Sequence, residues 1–198
     1  MEVLPWGQIS NLSPSCVGGD RFDGGDMGDF VFITGGARSG KSAYAIELGS
    51  RMQGRKAFIA TAEALDEEMK ERITLHQKNR PIEWETIEEP VALSGQLYKI
   101  DGLYDVVIVD CLTLWLSNIL GRDENSDRIT KEIECLATTL KTTSYKAIAV
   151  SNEVGQGIVP NNNVARLFRD MSGLMNRKVA GVADEVYLIT CGIPLKIK

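Results

Sequence analysis

The chain holds one histidine, His76, and four cysteines, Cys16, Cys111, Cys135 and Cys191, with no C-x-x-C spacing among them. One imidazole and four scattered thiols do not make a zinc cluster. The cysteines read as small buried hydrophobes of a protein in a reducing cytoplasm. Positive charge is in short supply: 22 Lys and Arg against 27 Asp and Glu give a formal charge of −5. Neutralising nucleic-acid phosphates takes clustered cations, so a general nucleic-acid binder is excluded. No apolar run approaches the roughly 18 residues of a membrane span. The first residues, Met1-Glu2-Val3-Leu4-Pro5-Trp6, lack the basic start and apolar stretch of a secretory signal. No internal repeat or low-complexity tract is seen.

What remains is ordinary globular material. The 198 residues are 43% hydrophobic and 25% charged, enough for one domain with a core that needs no covalent staples. Residues 1–28 stand apart. They carry 6 of the 19 glycines, with Pro5, Pro14, Asp20, Asp23 and Asp26, and no helical or strand period. They read as a flexible N-terminal extension, with a second start conceivable at Met27, ahead of a domain over 29–198.

From Phe30 onward apolar runs alternate with helical patterns. Strands are expected at Phe30–Thr34, Lys56–Ala62, Tyr104–Asp110, Tyr145–Asn152 and Glu185–Thr190, with a weaker one at Ile82–Glu88. Helical spacing links Ala45, Leu48, Gly49 and Met52. It also links Ile129, Ile133, Leu136 and Leu140, and Val164, Leu167, Phe168 and Met171. Near-continuous Val/Ile strands separated by helices predict an α/β fold, a mainly parallel sheet with helices on both faces.

Gly35-Gly36-Ala37-Arg38-Ser39-Gly40-Lys41-Ser42 fits G-x-x-x-x-G-K-[ST], with a strand before it and a helix after it. Glycines let the backbone close on a phosphate without a clashing Cβ. Successive N–H groups and a helix N-terminus then face the anion. Lys41 would reach the β- and γ-phosphates, and the Ser42 hydroxyl would ligate Mg²⁺. The predicted class is therefore P-loop NTPase-like, of RecA-like type. Asp110 ends the strand Tyr104–Asp110 and would lie on the same rim, where a second magnesium ligand belongs; the other reading is a cap for the following helix. Thr61-Ala62-Glu63 and Ser151-Asn152-Glu153 follow two further strands and point to that rim.

His76 follows Met69 and Ile73 at i, i+4, i+7 on a helix expected to begin near Asp66. One reading is a side chain packed along a half-buried face. The other is chemical. Lys78 and Arg80 disfavour a charged imidazolium, leaving a neutral nucleophile and cations to hold phosphate. A neutral imidazole facing a nucleotide α-phosphorus can displace pyrophosphate and form a nucleotidyl-histidine. Trp84 and Trp115 read as core or interface residues, and Met69, Met171 and Met175 as core. A helix with Arg166, Arg169 and Arg177 reads as a solvated charged face or a set of phosphate contacts.

The run Thr34-Gly-Gly-Ala-Arg-Ser-Gly-Lys-Ser42 resembles the first motif of the bifunctional adenosylcobinamide kinase / adenosylcobinamide-phosphate guanylyltransferase family. Later motifs agree in order from about Asp29 to Lys198. They include Ile59-Ala60-Thr61-Ala62, Asp66-Glu67-Glu68-Met69, Arg72-Ile73 with His76 and Arg80-Pro81, Asp110-Cys111-Leu112-Thr113, and the run from Asn152-Glu153-Val154-Gly155 to Pro160. The resemblance implies two reactions of cobalamin synthesis. ATP or GTP phosphorylates the aminopropanol hydroxyl of adenosylcobinamide. GTP then gives GMP to adenosylcobinamide phosphate through a guanylyl-histidine, with pyrophosphate leaving. It assigns that histidine to His76, and it assigns guanine-nucleotide contacts to Thr61, Ala62, Glu63, Gln77, Lys78, Asn79, Arg80, Glu88 and Asp110. It also implies a homo-oligomer, with a trimer among the options. The rival readings are a P-loop kinase for another small molecule, with His76 structural, and a nucleotide-binding regulatory module.

Overall fold

The computed structural model describes residues 28–78 and 80–198, apart from the side chains of Arg72 and His76. The expected flexible extension therefore falls, but for Gly28, outside the described residues. Among those described, the elements are β1 (Phe30–Gly35), α1 (Lys41–Ser50), β2 (Lys56–Ala60), α2 (Glu67–Lys78), β3 (Trp84–Glu88), α3 (Leu93–Lys99), β4 (Val106–Asp110), α4 (Leu112–Leu120), α5 (Ser126–Thr142), β5 (Lys146–Val150), α6 (Asn163–Val182), β6 (Glu185–Thr190) and β7 (Ile193–Lys196). One sheet runs in the order β3-β2-β4-β5-β1-β6-β7. All neighbours are parallel except β6 and β7, which form an antiparallel hairpin.

Alternation explains why the sheet is buried on both sides. Phe30 and Phe32 point into one core with Leu97 of α3, Trp115 of α4, Leu136 of α5 and Met175 of α6. Val31 and Ile33 point into the other, with Ala45 of α1, Phe58 and Trp84. Helices thus cover both faces, as expected, but unequally: α3 to α6 share one face. Gly49 brings α1 down onto the edge strand β3, since a Cβ there would meet the Trp84 ring at 2.6 Å. The i, i+4 partners Ala45 and Gly49 are both buried, so this helix packs through its smallest residues.

The registers carry the functional consequence. Glu88 lies opposite Ala60, Ala60 opposite Asp110, Asp110 opposite Val150, and Val150 opposite Ile33. Four adjacent parallel pairings therefore end level, and everything that follows each strand emerges on one carboxyl rim. Four strands are shorter than expected, the weaker one starting at Trp84 rather than Ile82. The second ends at Ala60 because the Thr61 hydroxyl turns to the Cys111 backbone. The fourth starts at Val106 because Asp105 and Val106 N–H both turn to Arg55 O. The fifth spans only Lys146–Val150. The weaker strand is real, and it packs through Trp84. Helix α3 and strand β7 were not anticipated, and α4 only as the helix following Asp110. The α4 run Leu-Thr-Leu-Trp-Leu-Ser-Asn-Ile-Leu buries Leu112, Trp115, Leu116, Ile119 and Leu120, one face at i, i+3, i+4, i+7, i+8.

Trp84, Trp115 and Met175 are core residues, while Met171 packs half-buried against the core and Met69 is only half-buried. Cys111 and Cys135 are buried, but Cys191 is exposed at φ +53° in the tight β6–β7 turn. The expectation of uniformly buried cysteines is thus corrected at Cys191, where the hairpin needs a turn residue rather than a core residue.

Candidate nucleotide site at the carboxyl rim

The turn from β1 into α1 has the backbone an anion requires. Gly35 sits at φ +150° with Ile189 O only 2.3 Å from where a Cβ would lie. Gly40, at φ +100°, opens α1 with no side-chain cap and no acidic residue in the first turn. The helix N-terminus is left to an external anion. Arg38 also adopts a left-handed conformation, and Gly192 N–H donates to Ser39 O at 3.0 Å, pinning the loop from the β6–β7 turn.

Lys41 is buried, 6% exposed, beneath this loop. Its Nζ donates to Gly36 O at 2.6 Å and lies 3.5 Å from Ser39 Oγ. Burial lowers its pKa below the ordinary lysine value, and nearby Cys111 and Asp110 partly oppose this. An ammonium held out of water that donates to a carbonyl and a hydroxyl, both neutral acceptors, can take a phosphate oxygen.

Asp110, at the end of β4, is therefore close enough to act on Lys41. Beyond it, the Thr61 hydroxyl both donates to Cys111 O at 2.7 Å and accepts from Cys111 N–H at 2.8 Å. Thr61 is fully buried, and its own carbonyl accepts from Asn118 Nδ2 at 2.7 Å. Its side chain stitches the tips of β2 and β4 together. Burial, and after it Asp110, pushes the Cys111 thiol up to about 12, so it is not a nucleophile at neutral pH.

On the far side of Asp110, Arg80 lies 3.6 Å over the Phe58 ring and donates to Thr86 Oγ1. Burial lowers its pKa, with Asp110 and then Glu88 acting against that. Among the described residues, Arg80 Nε and Thr34 Oγ1, both at this rim, are buried without a partner. Gln77 Nε2 lies 3.3 Å from Glu88 Oε1. The last turn of α2, which carries His76, is thereby tied to the sheet rim; Asn79 and the His76 side chain lie outside the described residues. Asp66 Oδ1 caps α2 by accepting from Met69 N–H, which places the helix start where expected. Lys78 is exposed and Ala62 half-buried. Glu63 is engaged by Arg122 through two bonds of 2.6 and 3.1 Å.

At the tip of β5, Ser151 Oγ bonds Thr113 Oγ1 at 3.0 Å and Asn176 Oδ1 at 2.7 Å. Thr113 Oγ1 accepts from Asn152 N–H at 2.6 Å, and Asn176 Nδ2 donates to Asn152 O at 3.1 Å. Arg166 donates to Pro160 O at 2.9 Å and Asn161 O at 2.8 Å, so it anchors a loop rather than a solvated face. Arg122 and Asn176 escaped the sequence reading, and Thr113 entered it only as part of a family motif. Thr113 and Asn176 lie in helices and Arg122 in the turn after α4, each far along the chain from its partner, and no local spacing marks these pairings.

A glycine cradle, a buried lysine and a strand-end aspartate at one rim of a parallel sheet define a P-loop nucleotide-binding protein. Solved structures agree on the fold. The type III secretion ATPase EscN of enteropathogenic E. coli matches with TM-score 0.54 at 12% identity, over 83% of this chain and 43% of that one. A Pyrococcus horikoshii OT3 protein, PH0250, matches with TM-score 0.52 at 10% identity, over 98% and 92%. Residues 31–197 match the cobinamide kinase / cobinamide phosphate guanyltransferase family, CobU, and the chain belongs to that family. The bifunctional adenosylcobalamin biosynthesis protein CobU of Escherichia coli K12 is 38% identical over 181 residues, 85% of this chain and 99% of that protein. The corresponding CobP of Pseudomonas aeruginosa PAO1 is 39% identical over 166 residues, 84% and 95%.

Proposed function

We propose that this chain is a bifunctional enzyme of adenosylcobalamin biosynthesis, acting first as adenosylcobinamide kinase and then as adenosylcobinamide-phosphate guanylyltransferase. The single observation that carries the reading is the buried Lys41 under the Gly35–Ser42 cradle beside Asp110, in a chain whose family performs both transfers. ATP or GTP supplies the γ-phosphoryl in the first reaction. In the second, His76 attacks the α-phosphorus of GTP, pyrophosphate leaves, and the corrinoid phosphate takes GMP from the histidine. Two in-line displacements give net retention at that phosphorus. Gly35, Gly36, Ala37, Arg38, Ser39, Gly40, Lys41 and Ser42 hold the polyphosphate. Ala62, Gln77, Lys78, Asn79, Arg80 and Glu88 surround the remainder of the nucleotide, with Thr61 and Glu63 shaping the floor through their own bonds. Arg80 Nε supports this, since among the described residues this buried donor has no acceptor.

Mg²⁺ fits the donor set. Ser42 and Asp110 offer hydroxyl and carboxylate oxygens, the ligands a hard cation takes. Among the described residues no cluster of three metal-ligating side chains exists, so the chain alone supplies no cage and nucleotide oxygens would complete the shell. When bound, the ion neutralises polyphosphate charge.

Incubation with labelled GTP and Mg²⁺ tests the reading. Intact mass should rise by one GMP, and the acid-labile, base-stable adduct should map to the peptide containing His76. Folded protein that phosphorylates but never acquires GMP would support the rival small-molecule kinase.

Assembly as a homo-oligomer, with the trimer taken from the family resemblance, is supported by β7. It is the outer strand of the sheet, and Ile193, Leu195 and Ile197 on this C-terminal segment are each more than half exposed. Light scattering should give about three chain masses; a single chain mass at assay concentration overturns it. Among the described residues no helix is long and apolar enough to cross a membrane, in keeping with a cytoplasmic enzyme.

A further inference from the structure

We propose that Glu153 is the general base of the phosphorylation step, accepting the proton of the aminopropanol hydroxyl; this rests on the reading above. Strand β5 lies between β4 and β1, so its tip emerges between Asp110 and the cradle. Glu153 N–H donates to Gly35 O at 2.9 Å, pinning this residue's main chain to the first glycine of the cradle. The two residues before it are held by the buried Thr113–Ser151–Asn176 network. Such pinning is what a proton-transfer group needs, because small misplacements cost rate.

The other carboxylates of the rim are engaged. Glu63 accepts both bonds from Arg122, and Glu88 faces Gln77. Glu89 accepts from Val91 and Ala92 N–H at 3.0 and 2.7 Å, in the turn that leads into α3. Asp110 faces Lys41 and Arg80 and is assigned to the metal. Glu153 is half-buried, and among the described residues the only bond its carboxylate accepts is from Gly155 N–H, at 2.8 Å. The loop then continues through Gly157 to Ile158, 97% exposed, and Val159, 56% exposed. An apolar lip next to a carboxylate suits a bulky macrocycle that presents a hydroxyl on a short arm.

The step balances. The hydroxyl oxygen bonds to the γ-phosphorus as its proton passes to the Glu153 carboxylate. The bond from that phosphorus to the bridging oxygen breaks, and the nucleoside diphosphate leaves with the electron pair. Glu153 later releases the proton to water. The guanylyl transfer makes no such demand, because its two nucleophiles, the lone pair of a neutral His76 imidazole and then a phosphate oxygen, carry no proton to remove.

Glu153→Gln is assayed for phosphorylation of adenosylcobinamide and, separately, for GMP transfer to preformed adenosylcobinamide phosphate. Phosphorylation kcat should fall about 10²- to 10⁴-fold with KM little changed, while the GMP adduct and its transfer persist. Glu153→Asp should recover part of the lost rate, and it reads the same contrast should the Gln variant fold poorly. Unchanged phosphorylation, or equal loss of both reactions in folded protein, overturns the proposal. Wild-type protein that forms no adduct and phosphorylates no cobinamide would instead overturn the functional reading itself.

Discussion

His76→Ala should abolish GMP transfer while leaving phosphorylation of adenosylcobinamide near wild-type. The two reactions break different bonds of the nucleotide. Guanylyl transfer through a histidine needs the imidazole as the attacking group, and removing a nucleophile costs at least about 10³-fold. Phosphorylation transfers the γ-phosphorus straight to the hydroxyl and has no use for a second nucleophile. The position supports this separation. His76 lies in the last turn of α2, one residue before Gln77, which reaches Glu88 on β3, whereas the cradle lies at β1 with β2, β4 and β5 between. The check is a pair of assays on one folded preparation, backed by intact mass after GTP. Equal loss of both activities would refute the division of labour.

Lys41→Met should impair both reactions, by about 10²-fold or more, because each requires polyphosphate charge to be neutralised as an oxygen departs. Stability should move the other way. Burial lowers the Lys41 pKa in the folded protein, so between the folded value and 10.5 the unfolded chain binds more protons. Stability of the wild type therefore rises with pH across that window, and below it the charged ammonium is a burden on the fold. The methionine variant should lose this slope and unfold no earlier than the wild type in urea at neutral pH. Normal turnover in both assays would contradict the assignment of the cradle, and an unchanged slope would contradict the burial argument.

Much of the site was legible because its chemistry is local. Eight consecutive residues, Gly35 to Ser42, hold the glycines, the lysine and the hydroxyl, and the proposed binding runs through the backbone between them. Asp110 was legible because a run of Val and Ile ending in a carboxylate announces a buried strand with a functional tip. Thr61 is an instructive middle case. Its place at a strand end was evident, but its side chain is spent on Cys111, fifty residues away. Glu63 was likewise placed, while its partner Arg122 was invisible.

By itself the amino-acid order determined the alternation of strands and helices, the phosphate-binding turn and the family. Those depend on period, on glycine's freedom at positive φ and on contiguous motifs. Only the tertiary structure decided which strand tips are level, that β5 threads between the cradle and Asp110, and which rim carboxylates are already engaged. Strand order and register arise from packing between segments far apart in the chain, and neither composition nor local spacing encodes which distant side chain will fill a given hydrogen bond.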